Sequence, residues 1–179
     1  MVMPGDPVYD NVRNFFNDFG LYHKYDFSLS GGSDKFQALS SVSFSNNDGI
    51  VPNDYLQKIT ALVKATYTPN KYIKAGVNAN ITYSKSRGAG SISSIYAWPI
   101  NDDITNYKTE SGDIRFLYFT EDKENSPYSP LWSRYMDEGA NVSTRTILSG
   151  YITATPVKGF NLTARVSMDQ NNYSYDGYT

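Results

Sequence analysis

No cysteine occurs among the 179 residues, which removes a disulfide framework and thiolate metal ligands without fixing the compartment. Histidine is almost as scarce. His23 is the only one, so no His-based catalytic group or His metal cluster can be built within the chain; His23 itself reads as a surface residue at a strand end. Charge of one sign is also missing: the formal net charge is -2 with no long run of either sign, which argues against nucleic acid as a partner. No apolar run approaches the ~20 residues of a membrane-spanning helix. The opening "MVMPGDPVYDNVRNFF" lacks the basic start and apolar middle of a signal peptide. Helical periodicity is weak, with one short candidate turn over Val12–Phe19.

What the chain has instead is tyrosine and alternation. There are 16 Tyr against 9 Phe and 2 Trp; Tyr and Trp favour boundaries between apolar and watery phases, although strand propensity alone is the simpler account of the tyrosines. Six segments alternate with period two: Leu21–Ser30, Lys35–Asn46, Tyr55–Tyr67, Tyr72–Ser86, Ser143–Thr155 and Phe160–Asn171. The clearest is "YIKAGVNANITYS", with Ile73, Ala75, Val77, Ala79, Ile81 and Tyr83 on one parity and Lys74, Asn78 and Asn80 on the other. Period two puts these sets on opposite faces of a strand.

The connections alternate as well. "GGSDK", "TPNK" and "PVKG" are tight hairpin signals, whereas "NNDGIVPND" and the stretch Arg87–Val142 are long. Short turns at one end and long loops at the other describe an antiparallel up-and-down meander, the arrangement of membrane barrels. Across most of the strands the apolar face carries no charge, and it ends in aromatics: Phe36, Tyr67 and Phe160 at the tight-turn level, Phe44 and Tyr83 at the other. Eight residues from Phe36 to Phe44 span ~26 Å. Tilted by ~40°, that becomes roughly 20 Å of height, close to the ~25 Å apolar band of an outer-membrane barrel. Small residues (Ala38, Ala61, Ala65, Ala75, Ala79, Ala164) recur between the aromatics, where a soluble core favours larger side chains. The apolar face is therefore expected to meet lipid.

The string "YDFSLSGGSDKFQALSSVSFSNNDGIV" resembles the barrel region of SusC/RagA-type TonB-dependent outer-membrane transporters. The resemblance rests on Ser30–Lys35, the strand Phe36–Asn46 and the closing Gly49–Val51, continues through the hairpin "KITALVKATYTPNKYIKAGVNANITYS", and is looser over "TPVKGFNLTARVSMD". It covers about Asn14–Ser86 well and Val142–Asn172 loosely. It implies an all-β internal piece of a longer protein, 1–179 being part of one barrel, with strands over 21–86 and 143–171 and one long irregular extracellular loop over 87–142. The family's signal peptide, plug domain and TonB-contacting segment have no counterpart here. Six strands cannot close a barrel alone, so an isolated piece would be prone to association. The implied function is import of oligosaccharides or peptides across the outer membrane, with a SusD-like surface lipoprotein as partner and energy from TonB through the plug. No cofactor, metal or enzymatic step is expected.

Lys58, Lys64, Lys74, Arg165 and Asp169 are then expected to face the watery lumen. In the long loop, Trp98 and Trp132, with Tyr96, are the candidates to touch substrate or partner, since aromatic rings suit sugars and protein interfaces. For Tyr107, Tyr118, Phe119, Tyr128 and Tyr135 a small aromatic core of the loop itself is the simpler role. The acidic groups Asn101–Asp103 and Glu121–Glu124 offer oxygen ligands but no EF-hand spacing, so solvated loop is the plainer reading than calcium. "SGGS" and "RGAG" lack the Lys-Ser/Thr of a phosphate loop. Two alternatives stay open: a soluble carbohydrate-binding β-sandwich, and a secreted adhesive β-protein.

Overall fold

The computed structural model describes residues 5–90, 92–117, 126–136 and 138–178. Six strands form one antiparallel sheet in chain order: β1 (Leu21–Gly32), β2 (Phe36–Asp48), β3 (Tyr55–Asn70), β4 (Ile73–Arg87), β5 (Glu138–Val157) and β6 (Phe160–Tyr178). The expected meander is thus present. No second sheet packs on it among the described residues, so these residues do not by themselves form the two layers of a β-sandwich.

The tight turns follow their local chemistry. Between β1 and β2 the Ser33 N–H donates to the Phe36 carbonyl at 2.6 Å. Between β3 and β4 the Asn70 side chain accepts from the N–H groups of Tyr72 and Ile73 at 2.9 and 3.1 Å, an Asx turn that substitutes a side chain for a backbone acceptor. Gly159, at φ 89°, supplies the left-handed residue between β5 and β6.

The strands are longer than alternation alone suggests. β2 continues through Asn46–Asp48, and β5 and β6 reach Glu138 and Tyr178. These extensions mix Asn, Ser, Asp, Glu, Gly and Tyr with Ala140 and Val142. They carry no sustained greasy–wet contrast, and the ladder alone defines them. As a result the long loop shrinks to 88–137, and it is not wholly irregular. It holds two short helices, α2 (Ser93–Tyr96) and α3 (Pro130–Met136), and the bridges Lys108↔Ile114 and Phe116↔Tyr128. The remaining helix, α1 (Asn11–Phe15), starts before the expected Val12 because Asp10 caps it, accepting from the Arg13 N–H at 3.0 Å. It stops at Phe15, well short of Phe19, where Phe16 turns extended and the Asn17 N–H is taken by the Ile50 carbonyl.

The hydrophobic core of the described residues sits outside the sheet. Phe15, Val51, Ile95, Trp98, Ile104 and Leu131 form one buried cluster, contributed by α1, the β2–β3 connection and the long loop. Asn11 locks it together: its side-chain N–H groups donate to the carbonyls of Pro99 and Asp102, and its oxygen accepts from the Ile104 N–H at 3.0 Å. Helix α3 is tied to the strand ends by Arg134, which donates to the carbonyls of Pro52 and Gly88, and by Arg87, which donates to the Ser133 carbonyl.

Candidate functional site

Strand register turns the alternation into rows. One row runs Leu29–Ser40–Val63–Ala79–Leu148–Met168 across all six strands, and the next toward the tight turns runs Gly31–Ala38–Ala65–Val77–Gly150–Val166. Nothing among the described residues covers this face: Phe27 is 71 % exposed, Val77 59 % and Val166 78 %. Six strands at ~4.8 Å and ~26 Å of length give a flat projection of roughly 600 Å², already at the upper limit of apolar patches on soluble monomers.

The apolar band is not level with the rows; it drifts. On β2 it runs from Phe36 to Phe44. The Phe44 row continues through Ile59 and Tyr83 but meets Thr144 and Asn172 on β5 and β6. On β6 the band ends at Met168, four residues lower, and at its other end the Phe36 row reaches Ala164 while the aromatic limit is Phe160, again four residues lower. Both edges move together. Four residues over four strand spacings is ~13 Å against ~19 Å, a slope of roughly 35°. A horizontal apolar slab cutting strands tilted by 35–45° produces that drift.

The opposite face is polar, and it receives Lys58, Lys64, Lys74, Arg165 and Asp169 together. Asp169 is gripped by Arg145, through Nε at 3.0 Å and Nη2 at 2.6 Å. The Arg165 guanidinium lies over the Tyr151 ring, 5.8 Å from its centroid. That ring in turn covers Gly76, where a Cβ would come within 2.5 Å of it. Lys64 lines a cleft beside Asp34, Gln37 and Thr66 at the tight-turn end. Arg145 belongs to this set but was not singled out from the sequence. Its parity was legible, whereas its partnership depends on the register Ile147↔Asp169.

In the loop the three aromatic candidates separate. Tyr96 is 70 % exposed, Trp132 is half-buried, and Trp98 is 7 % exposed within the core cluster, with no hydrogen-bond acceptor for its indole N–H. Tyr107 and Tyr135 stack at 5.4 Å, and burial raises the Tyr135 phenol, with Tyr107 adding to it. Asp102 is bound by Arg115 at 2.5 and 3.0 Å, and this hydrogen bond raises the guanidinium's pKa. The Asp103 carboxylate accepts from the N–H and hydroxyl of Thr105. Among the described residues no group of three or more His, Asp or Glu could hold a metal. Tyr118, Phe119 and Glu121–Glu124 lie outside the described residues.

No helix of the described residues is long and apolar enough to cross a membrane, which says nothing of a β-barrel. No protein-family model matches the chain, and no curated protein does. Solved structures do match. The structure of the RagAB peptide transporter is similar with a TM-score of 0.74 at 17 % identity over 96 % of this chain, and that of the RagAB peptide importer in the open-open state with 0.75 at 18 % over 94 %. The chain spans about a fifth of the length of those chains, 20 % and 19 %. At this identity the likeness is one of fold: a six-stranded meander with its loop cluster that also occurs as part of transporter chains.

Proposed function

We propose that the chain is a wall segment of a SusC/RagA-type outer-membrane transporter, its apolar band against lipid and its polar face toward the lumen. The observation that carries this reading is the tilt of the apolar band, because a soluble core has no reason to slip by the same four residues at both edges. The likeness to transporter chains supports it. In this reading Lys58, Lys64, Lys74, Arg165 and Asp169 line the lumen with Arg145, and the segment performs no chemistry of its own. Energy comes from TonB through a plug supplied elsewhere in the protein, and a SusD-like lipoprotein lids the outer side. The cargo is a peptide or an oligosaccharide. Both similar structures are named for peptides, so peptide is the class to test first. Tyr96 and Trp132 are the loop aromatics placed to touch cargo or lid, while Trp98 supports the loop from inside.

The test is outer-membrane assembly of the protein in its native cells. Val77→Asp and Val63→Asp each put a charge in mid-band at a cost of about 2–4 kcal/mol; both should remove the protein from the outer-membrane fraction, whereas Asn78→Asp, on the polar face, should not. Normal membrane assembly of the Val77→Asp and Val63→Asp variants would refute a lipid-facing band.

A further inference from the structure

Just beyond the band, on the same outward face, β4 carries its first charges, and both are basic. Lys85 lies in the row Gln57–Lys85–Val142–Ser174, while Arg87 pairs with Tyr55 across the β3–β4 ladder and Ala140 with Asp176 across the β5–β6 ladder. Two residues apart on one face, their backbones stand ~6.6 Å apart, a span that the oxygens of one phosphate group can bridge. Both side chains are half-buried. They line a cleft of about 270 Å³ with Asn53, Tyr55, Ala140 and Asp176, and Ala140, 6 % exposed, is buried beneath it. Arg87 is not a mobile charge: Nη2 is anchored on the Ser133 carbonyl at 2.9 Å, which pre-orients the guanidinium. A planar, anchored guanidinium beside an ammonium is a phosphate-binding pair.

We infer that this cleft binds the phosphate of an anionic membrane lipid whose acyl chains lie on the band below. The inference rests on the reading of that band as lipid-facing. Continuity selects a lipid over a soluble anion: Lys85 stands two residues beyond Tyr83 and four beyond Ile81 on the same face of β4, so one molecule can hold its phosphate in the cleft and its chains on the apolar rows. Two acidic groups share the level. Asp48 is engaged by the Asn46 amide at 2.7 Å, while Asp176 faces the cleft and opposes an anion.

The test is native mass spectrometry of the protein purified from its membranes in detergent. It is titrated with phosphatidic acid and, separately, with diacylglycerol of the same chains. Wild type should retain phosphatidic acid in preference. Lys85→Gln should weaken retention roughly fivefold, the effect of one basic group at a charged lipid surface, Lys85→Arg should preserve it, and Asp176→Asn should strengthen it. Equal retention of the two lipids, or Lys85→Gln without effect, overturns the site while leaving the lipid-facing band standing. Release of bound phosphatidic acid by millimolar inorganic phosphate, with no further binding of the lipid, would assign the cleft to a soluble phosphate and also overturn it. Retention of neither lipid, by a protein absent from the membrane fraction, overturns the band reading and this inference together.

Discussion

The sheet and the loop cluster are built on opposite plans. The loop cluster buries Ile104 completely and Phe15, Ile95 and Leu131 almost so, as a small soluble domain would. The sheet has most of the residues and nearly none of that burial; Phe27, Leu29, Val63 and Val166 stand open on it. The chain assembles a dry core beside its strands and still leaves the strands' apolar face bare among the described residues. The cluster is satisfied by its own side chains. The sheet needs something outside these residues.

Substitutions that swap the two plans should separate them. The largest effect belongs to Val77→Asp, which should abolish membrane assembly while leaving the loop cluster's proteolytic resistance unchanged. Next is Ile104→Ala: emptying a fully buried site costs about 2–5 kcal/mol, so the loop should become protease-sensitive with the protein still in the membrane. Loss of both properties together in either variant would make the two regions one cooperative unit. Asn11→Ala leaves the buried Ile104 N–H and the Asp102 carbonyl without their partner, while the Pro99 carbonyl keeps the Asp102 N–H; it costs about 1–3 kcal/mol and should show as faster hydrogen exchange at Ile104. Gly76→Val drives a side chain into the Tyr151 ring, a clash of roughly 1–3 kcal/mol. The double variant Gly76→Val/Tyr151→Ala should recover much of the lost thermal stability; no recovery would assign the cost to the backbone instead.

The same contrast explains what the sequence disclosed. Alternation from Ile73 to Tyr83 located β4 because its two faces differ in polarity there. It failed from Glu138 to Val142 and from Asn172 to Tyr178, where neither face is consistently apolar and only pairing such as Asn141↔Tyr175 defines the strands. The charged side chains of the polar face could be assigned to it by parity, yet the Arg145–Asp169 pair could not, since register is not local information. The loop was least legible. Trp98, a candidate for contact with partner or cargo, packs inside, and the cluster it joins draws on Phe15, Val51 and Leu131, residues too far apart in sequence for any periodicity to connect.

The smallest expected effect is a titration that reaches the loop and leaves the sheet alone. Partial burial, and then the charge interaction with Tyr107, raise the Tyr135 phenol above its unfolded value of 10.0. A group whose folded pKa is raised contributes its full stabilisation below the unfolded value and loses it as pH climbs through the folded one. The loop should therefore hold constant stability up to about pH 10 and loosen above it, seen as a rise in loop proteolysis with alkaline pH. Tyr135→Phe cannot ionise and should flatten that part of the profile while keeping the ring stack. An unchanged profile in the phenylalanine variant would place the alkaline sensitivity elsewhere, and the stack would then count only as packing.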